Sequence, residues 1–273
     1  MAGREHERVG AATEEVAAPH IAVEGLTIAY GDFVIQRDLT FTVGRGDVFV
    51  VMGGSGCGKS TLLKAMIGLK RPSAGRILFE GESYWDATPE RQNELKRGFG
   101  TLFQAGALWS AMTLAENVAL PLRQYTSLPE TEIRDLAAYK LALVGLAGFD
   151  DFHPNEISGG MRKRAGLARA MAMDPGILFF DEPSAGLDPL SAKRLDDLIL
   201  ELRETLGTTI VVVTHELASI FAIGNNGVFL DAVSRTQLAT GDPKRLRDEH
   251  PNADVRNFLT RGAAGSTPGA RAP

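Results

Sequence analysis

The sequence predicts an α/β fold: a largely parallel, buried sheet carrying a phosphate loop, an antiparallel β portion wrapped around its start, and an inserted helical block. Three observations point there. Apolar runs of strand length at residues 47–52, 98–103, 177–180 and 208–213 lie among segments with helical spacing, the pattern of a parallel sheet covered on both faces. Residues 21–43 instead show strand-like alternation broken by a turn signal at Gly31 and Asp32. From about residue 105 to 157 strand signals fade and helical patterns take over.

The elements follow in order. Residues 1–20 read as a loose, mixed-charge leader, with Arg4, Glu5, Glu7, Arg8, Glu14 and Glu15 and no apolar stretch of a secretory signal. Strands are expected at 21–30 and 39–43, then at 47–52, where the chain enters Gly53, Gly54, Ser55, Gly56, Cys57, Gly58, Lys59, Ser60 and Thr61 before a helix. A turn at 72–75 leads to a short strand at 76–80, and residues 82–97 read as loop plus a short helix. The strand at 98–103 delivers Gln104 at its end. In the helical block, Thr113 with Glu116 three residues later has capping-box spacing, and Pro129 and Glu130 open a second helix that ends at Gly145. A helix at 161–173 precedes the strand 177–180, which ends in Asp181 and Glu182. Asp188 and Pro189 are a cap and first-turn pair for a helix striped by Leu195, Leu198, Ile199, Leu202 and Leu206. The β-branched strand 208–213 delivers Thr214 and His215, and strands near 228–230 and 236–239 precede a short charged helix. Residues 261–273 have a linker's composition and are expected to be disordered. A single domain is expected to span 21–260.

Composition narrows the function classes. A net charge of −5 disfavours broad contact with a phosphate backbone, so nucleic acid is not an expected partner. The one cysteine, Cys57, excludes an internal disulfide and suits a reducing compartment; inside the loop it reads as packing. No apolar run approaches the roughly 20 residues a bilayer requires, so any membrane role is expected to come through a partner.

A strand, a glycine-rich loop ending in Lys59 and Ser60, then a helix is the context a phosphate loop requires. Glycines let successive amides turn inward at a helix N-terminus, forming an anion site. Lys59 supplies a charge for the β- and γ-phosphates of a nucleoside triphosphate, and the Ser60 hydroxyl can ligate Mg²⁺. Strand ends of a parallel sheet converge on one crevice, which here collects the loop, Gln104, Asp181, Glu182 and His215. Asp181 holds the position of the carboxylate that reaches Mg²⁺ through water, and Glu182 is the candidate general base. The remaining histidines, His6, His20, His153 and His250, have no metal-ligand spacing and read as surface or structural.

Ile157, Ser158, Gly159, Gly160 and Met161, followed by Asp181, Glu182, Pro183, the run Ser184 to Asp188, and His215, resemble an ATP-binding cassette (ABC) ATPase over about residues 21–245. The resemblance implies a RecA-like phosphate-loop core with an antiparallel β subdomain and a helical subdomain inserted at about 105–157. It implies that Ser158, Gly159 and Gly160 meet the γ-phosphate of ATP held by the other copy of a head-to-tail homodimer, with Asp188 contacting the opposite phosphate loop. Gln104 is implied to sense Mg²⁺ and the attacking water, and His215 to contact the γ-phosphate. Tyr30 matches the aromatic that stacks on adenine, although a strand-end tyrosine serves equally as core. Trp109 and Met112 fall where the groove for a permease's coupling helix is expected; an ordinary core role for Trp109 is the alternative.

The signature departs from the family's usual Gln at Met161 and continues with Arg162, Lys163 and Arg164. That variant, with residues 103–108 and 215–221, resembles the ATPase subunits of Mla/Mce-type transporters, which move phospholipids or other lipids across the Gram-negative envelope; the hairpin at 225–231 is less typical. The resemblance implies a multispan inner-membrane permease, an Mce-domain substrate-binding protein and a small regulatory subunit as partners, and a place on the cytoplasmic face of the inner membrane. A cassette for another solute, or one acting on ribosomes or DNA, are the alternatives. The second usually carries two cassettes or a long coiled coil, whereas this sequence has one phosphate loop and no sustained heptads.

Overall fold

The computed structural model describes residues 18–104 and 106–260. Residues 1–17, holding most of the expected leader, the expected tail 261–273, and Ala105 lie outside the described residues.

The chain opens with β1 (Ile21–Tyr30) and β2 (Phe33–Val43), an antiparallel hairpin turning at Gly31 and Asp32. β3 (Val48–Gly53) leads through the glycine-rich loop into α1 (Lys59–Met66). β4 (Ala74–Phe79) and β5 (Glu82–Ser83) return to the hairpin, so a four-stranded antiparallel sheet runs β2-β1-β4-β5. α2 (Pro89–Arg97), capped by Thr88, precedes β6 (Phe99–Leu102). The helical block supplies α3 (Leu114–Tyr125) and α4 (Glu130–Leu143), and the chain re-enters the α/β pattern through α5 (Gly159–Ala170) and β7 (Ile177–Asp181). α6 (Pro189–Leu206), β8 (Thr209–Val213), α7 (Leu217–Ile223) and β9 (Asn226–Leu230) continue the alternation. β10 (Gln237–Thr240), α8 (Pro243–Glu249) and α9 (Ala253–Leu259) follow. The second sheet runs β10-β9-β3-β8-β7-β6 and is parallel except where β10 meets β9.

The continuous apolar strands are explained by two covered faces. Phe49, Val51, Phe179, Val211 and Val213 pack toward α1 and the antiparallel sheet. Val48, Leu178, Phe180, Ile210 and Val212 pack toward the helical side, with Val118 of α3, Leu141 of α4, Leu167 of α5 and Ile199 of α6. Val50, Met52 and Phe229 meet α7 to α9 in a third cluster. Burying each such side chain contributes about 1.5–3 kcal/mol, which makes the central sheet a rigid platform for the loops at its strand ends.

Several boundaries differ from the sequence expectation. β2 begins at Phe33, well before the expected residue 39, because it pairs with β1 through register shifts that accommodate exposed Arg37 and Asp38. α5 runs from Gly159, capped by the Ser158 hydroxyl, to Ala170, rather than over 161–173. α9 has no counterpart in the sequence expectation; the helix is short and rests on an Asn252 cap and buried Val255, Phe258 and Leu259. The Thr113–Glu116 capping box forms as expected, with both reciprocal hydrogen bonds present.

Candidate active site

Parallel register brings the strand ends together. Val51 of β3 lies beside Val213 of β8, Asp181 of β7 beside the same Val213, and Leu102 of β6 beside Phe180. The residues that follow these positions therefore crowd one edge. A cavity of about 490 Å³ opens there, lined by Ile35, Gly53, Gly54, Ser55, Gly56, Gly58, Lys59, Ser60, Thr61, Gln104, Glu182 and His215.

The loop geometry explains its glycines at two positions. Gly58, the N-cap of α1, has φ 94°, and a Cβ there would meet Ile35 Cγ2 at 2.5 Å. Gly53 has φ 144°, and a Cβ would strike the Leu230 carbonyl oxygen at 2.3 Å. No side chain caps α1, and its first turn carries no acidic residue, so its leading amides and the positive end of the helix dipole face the cavity. The Lys59 ammonium is buried and donates to the carbonyls of Gly53 and Gly54 at 3.0 and 2.9 Å, folding back over the loop. Cys57 sits beneath the loop, where burial pushes its thiol up from the ordinary value. That is a packing position.

On the other side, the Ser60 hydroxyl donates to Asp181 Oδ1 at 2.9 Å. Glu182 Oε1 and His215 Nδ1 are 2.8 Å apart, while Glu182 Oε2 is buried without a protein partner. An orphaned carboxylate oxygen at the mouth of an anion cradle fits an attacking water held there. Ser60 and Asp181 form a hard oxygen pair suited to Mg²⁺, which takes one or two protein ligands and completes its shell from water and substrate phosphate. No cluster of three or more His, Cys, Asp or Glu that could hold a metal ion by itself is found among the described residues.

Other expected residues stand apart from the cavity. Tyr30 is 52% exposed at the end of β1 with the Lys70 ammonium over its ring at 4.5 Å, and Ile35, not Tyr30, lines the cavity. Ser158, Gly159 and Gly160 form the start of α5, where Ser158 Oγ accepts from the Met161 amide. Asp188 caps α6 by accepting from the Leu190 and Ser191 amides, and its hydrogen bonding with Ser191 holds its carboxyl below the usual range. Trp109 is 61% exposed, its backbone fixed by the buried Asn117 side chain, so it is not a core aromatic.

The burial of Gln36 and of Lys163 escapes the sequence reading. Gln36 Nε2 donates to the Cys57 and Asp231 carbonyls at 2.7 and 2.8 Å, tying the loop to the end of β9. Lys163 Nζ donates to the Ala185 carbonyl at 2.6 Å and the Glu182 carbonyl at 3.3 Å, linking α5 to the turn after β7. Lys163 sits directly after Arg162 in a basic run, which in sequence looks like a solvated face.

Comparison with known proteins agrees with this geometry. The family model described as "ABC transporter" matches residues 36–185. The probable ribonucleotide transport ATP-binding protein mkl of Mycobacterium tuberculosis is 42% identical over 239 residues, 88% of this chain. The chain spans only 66% of that relative's length. The intermembrane phospholipid transport system ATP-binding protein MlaF of Haemophilus influenzae is 42% identical over 226 residues, covering 83% of this chain and 85% of MlaF. Among solved structures, the dimeric ATP-binding cassette MJ0796 in a post-hydrolysis state with ADP and Pi superposes with a TM-score of 0.74 at 27% identity, covering 81% of this chain and 98% of that one.

Proposed function

The chain belongs to the ABC transporter family, and on that premise we propose that it is an ATP-binding, ATP-hydrolysing subunit, two copies of which pair head to tail around two ATP molecules to drive a separate membrane permease. The observation that carries the ATP-hydrolysing part of this reading is the Ser60–Asp181 contact beside the Glu182–His215 pair at one crevice of strand ends.

In the proposed mechanism, residues 53–61 wrap the phosphates with backbone amides, and Lys59 places its charge at the β- and γ-phosphates. Ser60 and Asp181, with Gln104 beside them, would hold Mg²⁺, which when bound would supply positive charge to the phosphate oxygens. Glu182 takes a proton from the water whose oxygen attacks the γ-phosphorus as the bond to the β-phosphate oxygen breaks. His215 fixes the Glu182 carboxylate and contacts the γ-phosphate. Ser158, Gly159 and Gly160 of the second copy close over the same phosphate, and Asp188 contacts the opposite loop. Tyr30, exposed at the end of β1, is the aromatic assigned to stack on adenine. Residues 21–260 act as one unit, with the helical subdomain at about 105–157 facing the permease.

Phospholipid is the proposed cargo. The MlaF likeness over most of both chains and the Met161 variant of the signature support it. An Mce-domain protein and a small regulatory subunit are the accompanying partners, and the inner face of the cell membrane is the working place; among the described residues no helix is long and apolar enough to cross a membrane. The relative named for ribonucleotide transport favours a second reading, another solute on the same engine. Affinity purification from detergent-solubilised membranes separates them. A multispan permease with an Mce-domain protein and bound phospholipid is expected. Recovery with a solute-binding protein and no lipid contradicts the lipid reading, and recovery with ribosomes contradicts both.

A further inference from the structure

Asp196 lies on α6, where a polar residue between apolar stripes is ordinarily solvated, yet it is only 6% exposed. Its Oδ2 accepts a hydrogen bond from the Ser219 hydroxyl at 2.8 Å, and Ser219 Oγ meets Ser184 Oγ at 3.4 Å; all three side chains are buried. Oδ1 of Asp196 is buried with no partner. Burial pushes the carboxyl above the usual carboxylate range, outweighing the Ser219 hydrogen bond. An apolar side chain at this position would avoid that desolvation cost, so a purely stabilising role does not explain the residue.

The cluster's position does. Ser184 follows Glu182 by two residues, and Ser219, on α7, follows His215 by four. Glu182 itself has φ 49°, a left-handed backbone that a non-glycine residue keeps only where its surroundings hold it. Lys163 holds the turn from the α5 side through the carbonyls of Glu182 and Ala185. The Asp196 cluster holds it from the α6 side and fastens it to the helix that follows His215.

We propose that Asp196 is a positioning residue: through Ser219 and Ser184 it locks the turn bearing Glu182 to the segment bearing His215 and so sets the 2.8 Å contact between them. The proposal rests on the reading of Glu182 as the base that accepts the proton of the attacking water. Asp196 does not line the cavity; it acts through the serines.

The test is steady-state ATP hydrolysis by the 273-residue chain, with ATP affinity measured in parallel. Asp196→Val should lower kcat by about 10- to 100-fold while KM for ATP stays within about twofold, because misplacing a reacting group costs turnover rather than ground-state binding. Asp196→Asn keeps a carbonyl acceptor for Ser219 and should recover most of the loss. Ser219→Ala should lower kcat in the same direction and add little on top of Asp196→Val, as members of one network do. Ser184→Ala and Ser219→Ala carry the test should Asp196→Val not fold. Unchanged kcat in the serine variants, an Asn variant as impaired as the Val variant, or kcat and ATP affinity falling together would overturn the proposal. Glu182→Gln separates the two layers. If it retains normal turnover, the base assignment fails; if it is inactive while the network variants are normal, only the positioning role fails.

Discussion

Two helix N-termini in this chain carry glycine and serine, and they are finished differently. At α1 the cap is Gly58, which has no side chain to offer, and the free amides open into a cavity walled by Lys59, Gln104, Glu182 and His215. At α5 the cap is Ser158, whose own hydroxyl already takes the Met161 amide, and Ser158, Gly159 and Gly160 are not among the residues lining that cavity. The first terminus gathers amides, a lysine, the Ser60–Asp181 pair and the Glu182–His215 pair from one chain. The second has donors and a dipole but does not line that cavity, so the phosphate contact proposed for it requires a phosphate brought from elsewhere. That asymmetry is the physical argument for a pair of chains.

Substitutions sharpen the contrast. The largest effect is expected at the first terminus: Glu182→Gln should cut ATP turnover by about 10²–10⁴-fold while leaving ATP bound, read by phosphate release and nucleotide retention. Unimpaired release would remove Glu182 from its role. Lys59→Ala comes next, with ATP affinity measured by equilibrium binding expected to fall about 10- to 100-fold, since a charged donor to phosphate is lost. Retained affinity would break the cavity side of the comparison. At the second terminus, Ser158→Ala should leave the affinity of the isolated chain for ATP within about twofold while lowering turnover about tenfold. It also removes the cap of α5, at a cost of about 1 kcal/mol in thermal unfolding. A loss of affinity in the isolated chain would mean that Ser158 serves its own cavity. Met161→Gln is the smallest change: Met161 offers its backbone amide to Ser158, so affinity and turnover should both stay within about twofold.

What is legible in the sequence follows the same divide. Local chemistry can be read wherever a position admits few residue types, as at the glycines of the loop, the Thr113–Glu116 box, the Asp188–Pro189 start of α6, and the apolar strands that lead to Asp181 and His215. Leu195, Leu198, Ile199 and Leu202 of the expected stripe are buried, while Leu206 at the end is exposed. The start of α5 is obscured because Gly159 and Gly160 are poor helix formers, and only the Ser158 cap reveals it. Gln36, Lys163 and Asp196 are not legible. Each looks like a solvated side chain in a one-dimensional pattern and is buried only by a distant segment: residues 57 and 231 for Gln36, 182 and 185 for Lys163, 219 for Asp196. The left-handed backbone of Glu182 is likewise set by its neighbours in space.

The measurement that bears most directly on the central claim is the mass in solution of the hydrolysis-blocked Glu182→Gln chain, by light scattering with and without Mg·ATP. Without nucleotide the chain should run at its own 29.3 kDa, and with Mg·ATP at twice that, the doubling disappearing when Ser158→Arg is added to fill the serine-glycine terminus. A mass that stays at one chain under saturating Mg·ATP, or a doubling indifferent to Ser158→Arg, would contradict the account.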